Sequence, residues 1–336
     1  MKTTQLVLGD KAFDELSGQW DELARRGMTD TPFQLLAYQR SWWKNLQPED
    51  ATLLTGAVRD TDGTLQAIGC FYQLEGTLYF NGCVEETDYL DVICPAEHAS
   101  SSWHELMDCL EAFDSPPWHS LELCNIPESS QTRNILSNLA QTKGYRYEEE
   151  VIEVCPTISL PATFDTYLES LDSKQRREIS RKMRRAEGAE MRTVIIGPED
   201  DLAEAVDLFL DLLQLSTFEK RDWLHDGRRA VFHEVAQAAQ QAGLLQLMFV
   251  EHEGRKAAGL FNFDYKDRIW VYNSGLDPAL FAPLSPGVVL TAAAIEHAIN
   301  LGRSEFDFMR GSEDYKYRFG AKDTHIYRIH IDRSAS

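Results

Sequence analysis

Three residues near the C terminus have side chains that can move protons: Asp307, Glu313 and Tyr315. A positioned carboxylate can take a proton from a nucleophile, and a phenol can return one to a leaving group. Asp307 lies between Phe306 and Phe308, so alternation along a strand predicts that it faces away from both rings, towards a cleft or towards solvent. Glu313 follows this strand in a predicted loop, where catalytic groups are common. A solvated strand residue is the alternative interpretation of Asp307.

A run of cations between residues 174 and 185 stands out in a chain whose formal charge is -21. The run contains seven cations and one acid, and on a helix Arg177, Arg181 and Arg185 fall on one stripe. Such a stripe is either the solvated face of a helix that links two domains or a clamp for an anionic ligand. The sequence leaves both interpretations open.

A second basic group overlaps the candidate tyrosine. Lys316 and Arg318 alternate with Tyr315 and Tyr317, so both cations point to one side if the segment is extended. They would then grip a phosphate or a carboxylate. The alternative is a basic patch on the surface.

Ser285-Pro286-Gly287 predicts the entrance of a helix. Serine can cap, proline suits the first turn, and glycine lets a ligand or another backbone come close. Free amides at such an entrance can hold a pyrophosphate, whereas the plainer interpretation is an ordinary helix N-cap.

The remaining composition excludes several classes of protein. The negative charge argues against a chain that coats nucleic acid or a membrane surface, although it allows a local basic site. The six cysteines contain no C-x-x-C pair, and the nine histidines have neither metal-ligand nor Ser-His-Asp spacing, so we expect no metal site. We interpret the cysteines as buried free thiols in a reducing compartment. Without a signal-peptide segment or an apolar run of membrane-spanning length, the sequence predicts a cytoplasmic protein.

The elements that must position these residues occur twice in the chain. Residues 53–82 and 245–275 each predict an antiparallel meander of three short strands. The turns lie at Asp62-Gly63 and Glu75-Gly76 in the first meander, and at Glu253-Gly254 and Lys266-Asp267 in the second. Helical sequence precedes each meander (11–46 and 199–242), and a helix (100–113 and 287–300) and then a strand (120–125 and 305–310) follow it.

Segment 284–322 carries a distinctive set of residues: Ser285-Pro286-Gly287, Gly302, Asp307, Arg310-Gly311, Glu313, Tyr315-Lys316 and Arg318-Phe319-Gly320. Matching features upstream are Pro32-Phe33-Gln34, Trp42-Trp43, Asp88-Tyr89-Leu90-Asp91 and the run Leu171 to Ile179. The order of elements resembles that of the GCN5-related N-acetyltransferases, known as GNAT. The residues resemble more specifically the CelD/BcsL acyltransferases, which are linked to exopolysaccharide gene clusters. The Fem-type peptidyl transferases, which add amino acids to cell-wall precursors, are similar at a greater distance.

The resemblance implies an α/β (α+β) fold of two tandem GNAT-like domains, each a mixed, mostly antiparallel sheet flanked by helices. We expect an N-terminal domain over residues 1–155, on the acceptor side, and a linker over 156–198 that contains the basic helix 174–185. A C-terminal domain over 199–336 would hold the donor. The first repeat has Cys94-Pro95-Ala96-Glu97 where the second has its helix entrance, with an acid and no glycine, so we expect no acyl donor there.

The resemblance also implies roles for single residues. Asp307 or Glu313 would take a proton from the acceptor, and Tyr315 would return one to the leaving thiolate. Tyr272, Asn273, Ser285, Pro286 and Gly287 would bind the donor and polarise its carbonyl. Arg177, Arg181, Arg310, Lys316 and Arg318 would fix anionic groups, while Asp88, Tyr89 and Asp91 would line an acceptor pocket or merely end a strand.

The function implied is transfer of an acyl group from acetyl-CoA or another acyl-CoA to an amine or hydroxyl acceptor bound between the two domains. The acceptor would be a small molecule, glycan, lipid or peptide, and the family suggests exopolysaccharide or envelope biosynthesis. The glycine-rich Q/R-x-x-G-x-G/A loop of GNAT enzymes is absent, so two alternatives remain. One is Fem-like transfer from aminoacyl-tRNA, and the other is a degenerate GNAT scaffold without catalysis.

Overall fold

The structure is a computed structural model that describes residues 3–83, 87–113 and 117–333. The chain divides into two compact units. Unit 1 comprises Met1–Val154 and Thr324–Ser336, and unit 2 comprises Cys155–Asp323. The last strand therefore lies in unit 1, although the repeat pattern places it in the second half of the sequence.

Unit 1 contains five helices and most of seven strands in the part of the chain that the structure describes. The strands are β1 (Thr3–Leu8), β2 (Thr52–Arg59), β3 (Leu65–Leu74), β4 (Thr77–Phe80), β5 (Ser120–Pro127), the first part of β6 (Arg146–Ser159) and most of β12 (Lys322–Asp332). The helices are α1 (Lys11–Glu15), α2 (Ser17–Ala24), α3 (Leu36–Leu46), α4 (Ala99–Glu111) and α5 (Thr132–Lys143). The strand order is β1-β2-β3-β4-β5-β12-β6.

Unit 2 repeats this plan. Its strands are the end of β6, β7 (Arg192–Ile195), β8 (Leu245–His252), β9 (Arg255–Tyr265), β10 (Arg268–Leu276) and β11 (Glu305–Asp307). Its helices are α6 (Phe164–Ser170), α7 (Ser173–Gly188), α8 (Leu202–Ser216), α9 (Phe218–Trp223), α10 (Asp226–Gln241), α11 (Pro286–Asn300) and α12 (Asp314–Arg318). The strand order is β6-β11-β10-β9-β8-β7.

Each unit contains a parallel pair of strands beside antiparallel pairs. β4 runs parallel to β5, and β10 runs parallel to β11. The predicted α/β architecture of two similar units, each a mostly antiparallel sheet with helices, is confirmed. Each parallel pair needs a crossover, which α4 and α11 provide.

The strand beside β5 and the strand beside β11 come from distant parts of the chain. β12 pairs antiparallel with β5, and the end of β6 pairs antiparallel with β11 through Ser159, Ile158 and Thr157. Because β12 completes the sheet of unit 1, the C-terminal strand clusters with that unit. The repeat pattern does not reveal this exchange, since β6 and β12 have no special sequence signal.

Helices cover both faces of the sheet in unit 2. Leu260 of β9 packs into a core with residues of α7 and α11. Phe261, the next residue, contacts Phe209 of α8 and Phe232 of α10 on the opposite face. Alternation along β9 and β10 therefore decides which side chains reach each helix layer.

The bonding of two cysteines differs from the prediction of free thiols. Cys83 and Cys124 are joined in a disulfide, whereas the sequence predicts only free thiols. Within the described residues, the remaining four, Cys70, Cys94, Cys109 and Cys155, form no disulfide. The pair was missed because its partners are 41 residues apart in sequence, on segments that only the fold brings together.

Candidate active site

The parallel strands β10 and β11 separate after a short region of pairing. Three residue pairs join them, and the last is Trp270 with Asp307. β11 ends there, while β10 continues to Leu276 after a bulge between Val271 and Asn273. Met309 and Gly311, which both have positive φ angles, turn the chain after β11. The edge of β10 beyond Trp270 is therefore left without β11 as a partner.

A cavity of about 320 Å³ lies where the strands part; we call it the cleft cavity. Most of its lining is apolar, with Ser274, Thr291 and Tyr315 as the polar side chains. The lining residues are Ala258, Gly259, Leu260, Val271, Ser274, Gly275, Leu276, Gly287, Val288, Leu290, Thr291, Phe306, Phe308, Tyr315 and Phe319. The volume is within the range of small-molecule sites.

A second cavity of about 580 Å³, the basic cavity, adjoins the first. The two share Val288, Tyr315 and Phe319. The other lining residues come mostly from α7: Lys174, Gln175, Arg177, Glu178, Ile179, Arg181, Lys182 and, from α12, Arg318. The structure thus brings the predicted cations Arg177, Arg181 and Arg318 next to the cleft.

Helix α7 is held in this place by its apolar residues and by a cap. Ile179 and Ala186 are buried, and Asp172 accepts hydrogen bonds from the backbone N–H groups of Lys174 and Gln175. Arg181 forms an ion pair with Glu178, at 2.9 Å, and this contact raises the pKa of the guanidinium. The basic helix is therefore part of unit 2, with one face packed and the other bearing charge.

Helix α11 begins at the predicted entrance. Ser285 has a φ of 57°, and within the described residues its side chain makes no capping hydrogen bond, so the predicted serine cap is wrong. The left-handed backbone turns its hydroxyl away from the first amides. A Cβ on Gly287 would lie 3.8 Å from Leu276 Cδ2, so the space in front of this residue is open. The first turn of α11 therefore faces the cleft cavity at Gly287 and Val288.

Lys316 does not act as predicted. Residues 314–318 form a helix rather than a strand, so Lys316 and Arg318 do not point to one side. Lys316 is 2% exposed, and its Nζ donates to the carbonyl oxygens of Met309, Arg310 and Gly311 at 3.1, 2.8 and 2.9 Å. It also pairs with the Glu313 carboxylate at 2.8 Å. Lys316 therefore stabilises the loop after β11 and fixes Glu313, and Arg310 contributes its carbonyl there.

Tyr315 is the predicted residue that reaches both cavities. Its ring packs edge-on against Phe308, with 5.9 Å between centroids, and Ser274 lines the same cavity. Burial, and then the nearby charge of Glu313, raise the pKa of this phenol. Tyr315 therefore remains a proton donor throughout the neutral range.

Asp307 does not line either cavity. It is 2% exposed, and its Oδ1 accepts a hydrogen bond from the Met309 N–H at 2.7 Å. Phe306 and Phe308 line the cleft cavity, so strand alternation turns Asp307 away from it. The expectation that Asp307 faces away from the rings agrees with this placement, but that face is buried and not a cleft.

The two predicted β10 residues have separate positions. Tyr272 packs among Phe232, Phe261 and Phe263 on the face opposite the cleft cavity, because it alternates with Val271. Asn273, at the bulge, accepts a hydrogen bond from Lys220 Nζ at 3.2 Å. Tyr272 is therefore a core residue, and Asn273 positions a lysine.

Lys220 was not predicted from the sequence. Its Nζ donates to the Ser274 carbonyl at 2.8 Å, in addition to Asn273. Burial is the largest cause that lowers its pKa, from 10.5 to about 8, and the charge of Lys316 adds to this while Glu313 opposes it. The segment Phe218–Trp223 contains four charged residues, so in sequence it is indistinguishable from a solvated helix.

The three site residues predicted in unit 1, Asp88, Tyr89 and Asp91, are buried or half-buried. Asp91 is 4% exposed and accepts four hydrogen bonds, from Thr29, Ser130, Thr132 and its neighbour Val92. Burial raises the pKa of its carboxyl group, against the effect of these donors. Tyr89 is buried, and Asp88 is half-buried. The carboxylate of Asp91, which the sequence predicts to line a pocket for the acceptor substrate or to end a strand, is thus hydrogen-bonded within the protein.

Metal binding and membrane spanning are two further properties that the described residues address. In the described parts of the chain, no group of three or more His, Cys, Asp or Glu side chains is arranged to hold a metal ion. No helix among those residues is both long and apolar enough to cross a membrane.

Comparisons with known proteins agree with this geometry. Residues 173–317 match the family model described as an acetyltransferase (GNAT) domain. No curated protein matches the chain. The solved structure of FemX is similar, at 11% identity and a TM-score of 0.67, with 98% of each chain covered.

Two further solved structures share the fold. One is the C-terminal DUF2156 domain of a putative lysylphosphatidylglycerol synthetase from Agrobacterium fabrum, at 9% identity and a TM-score of 0.59, with 95% of this chain and 92% of that chain covered. The other is a tandem GNAT protein from the clavulanic acid biosynthesis pathway, at 12% identity and a TM-score of 0.52, with 97% and 98% covered. The chain thus has the tandem GNAT fold that the sequence predicts.

Proposed function

We propose that the protein is an acyltransferase that moves an acyl group from a coenzyme A thioester to an amine or hydroxyl acceptor, with the donor bound in unit 2. The observation that carries the proposal is the separation of β10 from β11 above the cleft cavity. An extended thioester arm fits such a gap, because the edge of β10 offers backbone hydrogen bonds and the lining is apolar. The bound donor would supply an activated acyl carbon and a thiolate leaving group.

The surroundings of the cleft suit the phosphates of such a donor. Gly287 leaves room at the first turn of α11, whose amides attract anions. The cations of the basic cavity, which include Lys174, Arg177 and Arg318, adjoin this turn through Val288. They provide positive charge that the absent glycine-rich loop would otherwise supply through backbone amides.

Two side chains are placed for the chemistry. Tyr315 is a buried phenol at the junction of the cavities, and we assign to it the proton that the leaving thiolate receives. Glu313, held by Lys316, is the carboxylate to which we assign binding of the acceptor's ammonium group, and not removal of its proton. We do not assign a proton-transfer role to Asp307, since its carboxylate is buried away from the cleft.

Calorimetric titration with acetyl-CoA and free coenzyme A tests the donor site. We expect micromolar binding to the wild type and at least a hundred-fold loss in Gly287→Trp, whose indole would fill the entrance. Gly188→Trp is the control, since Gly188 is exposed on the same unit and nothing lies within 4 Å of its added Cβ. Absence of binding to the wild type would overturn the assignment of coenzyme A as carrier, and binding that survives in Gly287→Trp would overturn its location.

The basic cavity favours a second candidate, transfer from an aminoacyl-tRNA as in the Fem-type enzymes. The cations of α7 beside an apolar cavity could hold an acceptor-stem backbone next to an aminoacyl group. The charge of -21 elsewhere in the chain opposes this candidate. Activity that falls steeply with salt and disappears with ribonuclease would identify it, and a stable fold that binds neither carrier would indicate a scaffold.

A further inference from the structure

Lys220 lies at the bulge of β10 beside the cleft cavity. Its Nζ donates to the Ser274 carbonyl at 2.8 Å and to Asn273 Oδ1 at 3.2 Å. Ser274 and Tyr315 both line the cleft cavity. The nitrogen therefore contacts a strand residue that lines the cleft cavity together with Tyr315.

The surroundings of this amine favour its neutral form. A buried ammonium needs several strong acceptors to replace water. Among the described residues, Lys220 Nζ has two uncharged oxygens as acceptors, whereas Lys316 Nζ has three carbonyls and a carboxylate. The charged groups that act on Lys220 are Glu313 and Lys316, whose effects oppose each other. Burial then lowers the pKa of Lys220 to about 8.

The difference between the two lysines separates their roles. Lys316 is saturated by four oxygens, so it is a positioning residue for the loop and for Glu313. Lys220 uses two N–H bonds on the strand, and a tetrahedral nitrogen has one further position. In the neutral amine that position is a lone pair.

We propose that Lys220 is the catalytic residue that takes the proton from the acceptor's ammonium group, a role that rests on the acyltransferase function proposed above. The acceptor R–NH3+ gives one proton to the neutral amine of Lys220, which becomes an ammonium. The freed R–NH2 forms a bond to the acyl carbon, the carbon–sulfur bond breaks, and the thiolate receives a proton from Tyr315. The new amide nitrogen gives up its second proton, which reprotonates Tyr315 through water, and the proton on Lys220 passes to bulk water. The sum is R–NH3+ and thioester giving amide, thiol and one proton, so the cycle needs no other reactant.

Competitive labelling of the unliganded protein tests the proton affinity of Lys220 without any assumed substrate. Trace acetic anhydride is applied between pH 6 and pH 11, and acetylation of each lysine is measured by peptide mass spectrometry. We expect half-maximal reactivity of Lys220 near pH 8, while exposed Lys322 follows the ordinary lysine range. A midpoint for Lys220 in that ordinary range, or no labelling at any pH, would overturn the proposal.

Kinetics of Lys220→Gln test the transfer itself. General base catalysis contributes about a hundred- to ten-thousand-fold, so we expect a loss of that size in kcat/KM and loss of the ascending limb near pH 8. Added methylamine or ethylamine should restore part of the rate, with a dependence on the pKa of the amine, which a merely structural lysine would not show. Lys322→Gln is the matched control and should keep the wild-type rate and pH profile.

The experiments separate this proposal from the function on which it rests. If titration shows no donor binding to the wild type, the coenzyme A assignment fails, whatever the labelling shows. If the wild type binds and turns over the donor, but Lys220→Gln keeps the same pH profile or is not rescued by amines, only the role of Lys220 fails. Donor titration of Lys220→Gln, with an unchanged Kd, confirms that the variant remains folded.

Discussion

Units 1 and 2 share one plan but differ at the end of the parallel strand pair. In each unit three residue pairs join the parallel strands, ending at Tyr79 with Glu122 in unit 1 and at Trp270 with Asp307 in unit 2. In unit 1 the first of the two strands ends one residue later, at Phe80. In unit 2 it continues to Leu276 and carries the bulge that holds Lys220. The longer β10 is what gives unit 2 an open strand edge.

The polar groups near these strand ends also differ. In unit 1 the carboxylate of Asp91 is surrounded by hydrogen-bond donors, and the buried Asn81 donates to Gln39 of α3. In unit 2 the polar groups Ser274 and Tyr315 line a cavity. Satisfied buried networks stabilise a fold, whereas polar groups around a cavity can act on a ligand. The comparison therefore separates a satisfied buried network in unit 1 from the polar groups of unit 2 that line the cavity used in the proposed function.

Replacing Asp91 with asparagine should have the largest effect, and it acts on unit 1. The carboxylate now accepts hydrogen bonds from hydroxyl and backbone N–H groups, whereas the amide nitrogen of asparagine would point its own N–H groups at one set of these donors. We therefore expect the free energy of unfolding to fall by about 3 kcal/mol. Urea unfolding followed by tryptophan fluorescence measures it. Asp50→Asn, at an exposed left-handed position that asparagine tolerates, is the control.

A loss below about 1 kcal/mol for Asp91→Asn would show that the network has little structural weight. The contrast between the two units would then no longer hold, because the Asp91 carboxylate would be available for a ligand as the sequence suggests. Acetyl-CoA binding by the folded variant should stay unchanged if the donor site lies in unit 2.

Replacing Lys220 with methionine should stabilise unit 2 while it removes activity. A lysine whose pKa falls from 10.5 to about 8 binds fewer protons when folded than when unfolded between these values, so the wild type gains stability as pH rises through this window. At pH 7 the partly buried amine costs about 3 kcal/mol before its two hydrogen bonds are counted, and we expect a net gain of about 1 kcal/mol for Lys220→Met. Urea midpoints at pH 7 and pH 10 measure it.

The advantage of Lys220→Met should shrink at pH 10, because the folded amine is then neutral and the unfolded lysine is close to its own pKa of 10.5, which leaves a cost of about 1 kcal/mol. Lys322→Met, at an exposed position, should show no such change with pH. An advantage that is equal at both values would mean that packing, and not proton affinity, distinguishes the two side chains. The contrast between a destabilising residue in unit 2 and a stabilising one in unit 1 would then lose its electrostatic basis.

Most of the fold could be predicted because it depends on local signals. The turns at Glu75-Gly76 and Glu253-Gly254 have positive φ at both residues, as glycine-containing hairpin turns require, and they delimit the predicted meanders. The sequence does not predict that β12, which lies within the expected C-terminal domain 199–336, pairs with β5, because this pairing is non-local and leaves no trace in the sequence of either strand. The Cys83–Cys124 bond was missed for the same reason.

The candidate site was predictable only in part. The helix entrance at Gly287 and the tyrosine at 315 carry local signals, and the structure brings them to one cavity. The predicted role of Lys316 is wrong because residues 314–318 form a five-residue helix, whereas their alternation predicts an extended segment. Lys220 could not be found, since its low pKa arises from burial under a strand bulge that no local pattern predicts.

Replacing Arg177 with glutamine should weaken binding of coenzyme A about five- to ten-fold at low salt. The side chain lines the basic cavity, and loss of one charge contact to a phosphate near the surface is worth about 1 kcal/mol, which added salt reduces. Calorimetry at 20 mM and 300 mM salt measures this, with Arg192→Gln in exposed β7 as the control. Acetyl-pantetheine, which lacks the nucleotide phosphates, should bind both variants equally. An equal loss for both ligands would place the arginine's effect in the apolar cleft instead.

Replacing Gly287 with alanine should have the smallest effect, and it separates two reasons for glycine on the cleft. The new Cβ would lie 3.8 Å from Leu276, an ordinary contact, so we expect a stability gain of about 0.5 kcal/mol and a change in donor affinity below three-fold. Gly275→Ala is the contrast, because its Cβ would lie 2.6 Å from the backbone nitrogen of Leu213 and must displace helix α8. If Gly287→Ala abolished binding as Gly287→Trp does, the donor would have to pass within a methyl group of this backbone. The glycine would then be required for ligand contact, and the difference from Cys94-Pro95-Ala96 in unit 1 would itself explain why one entrance binds and the other does not.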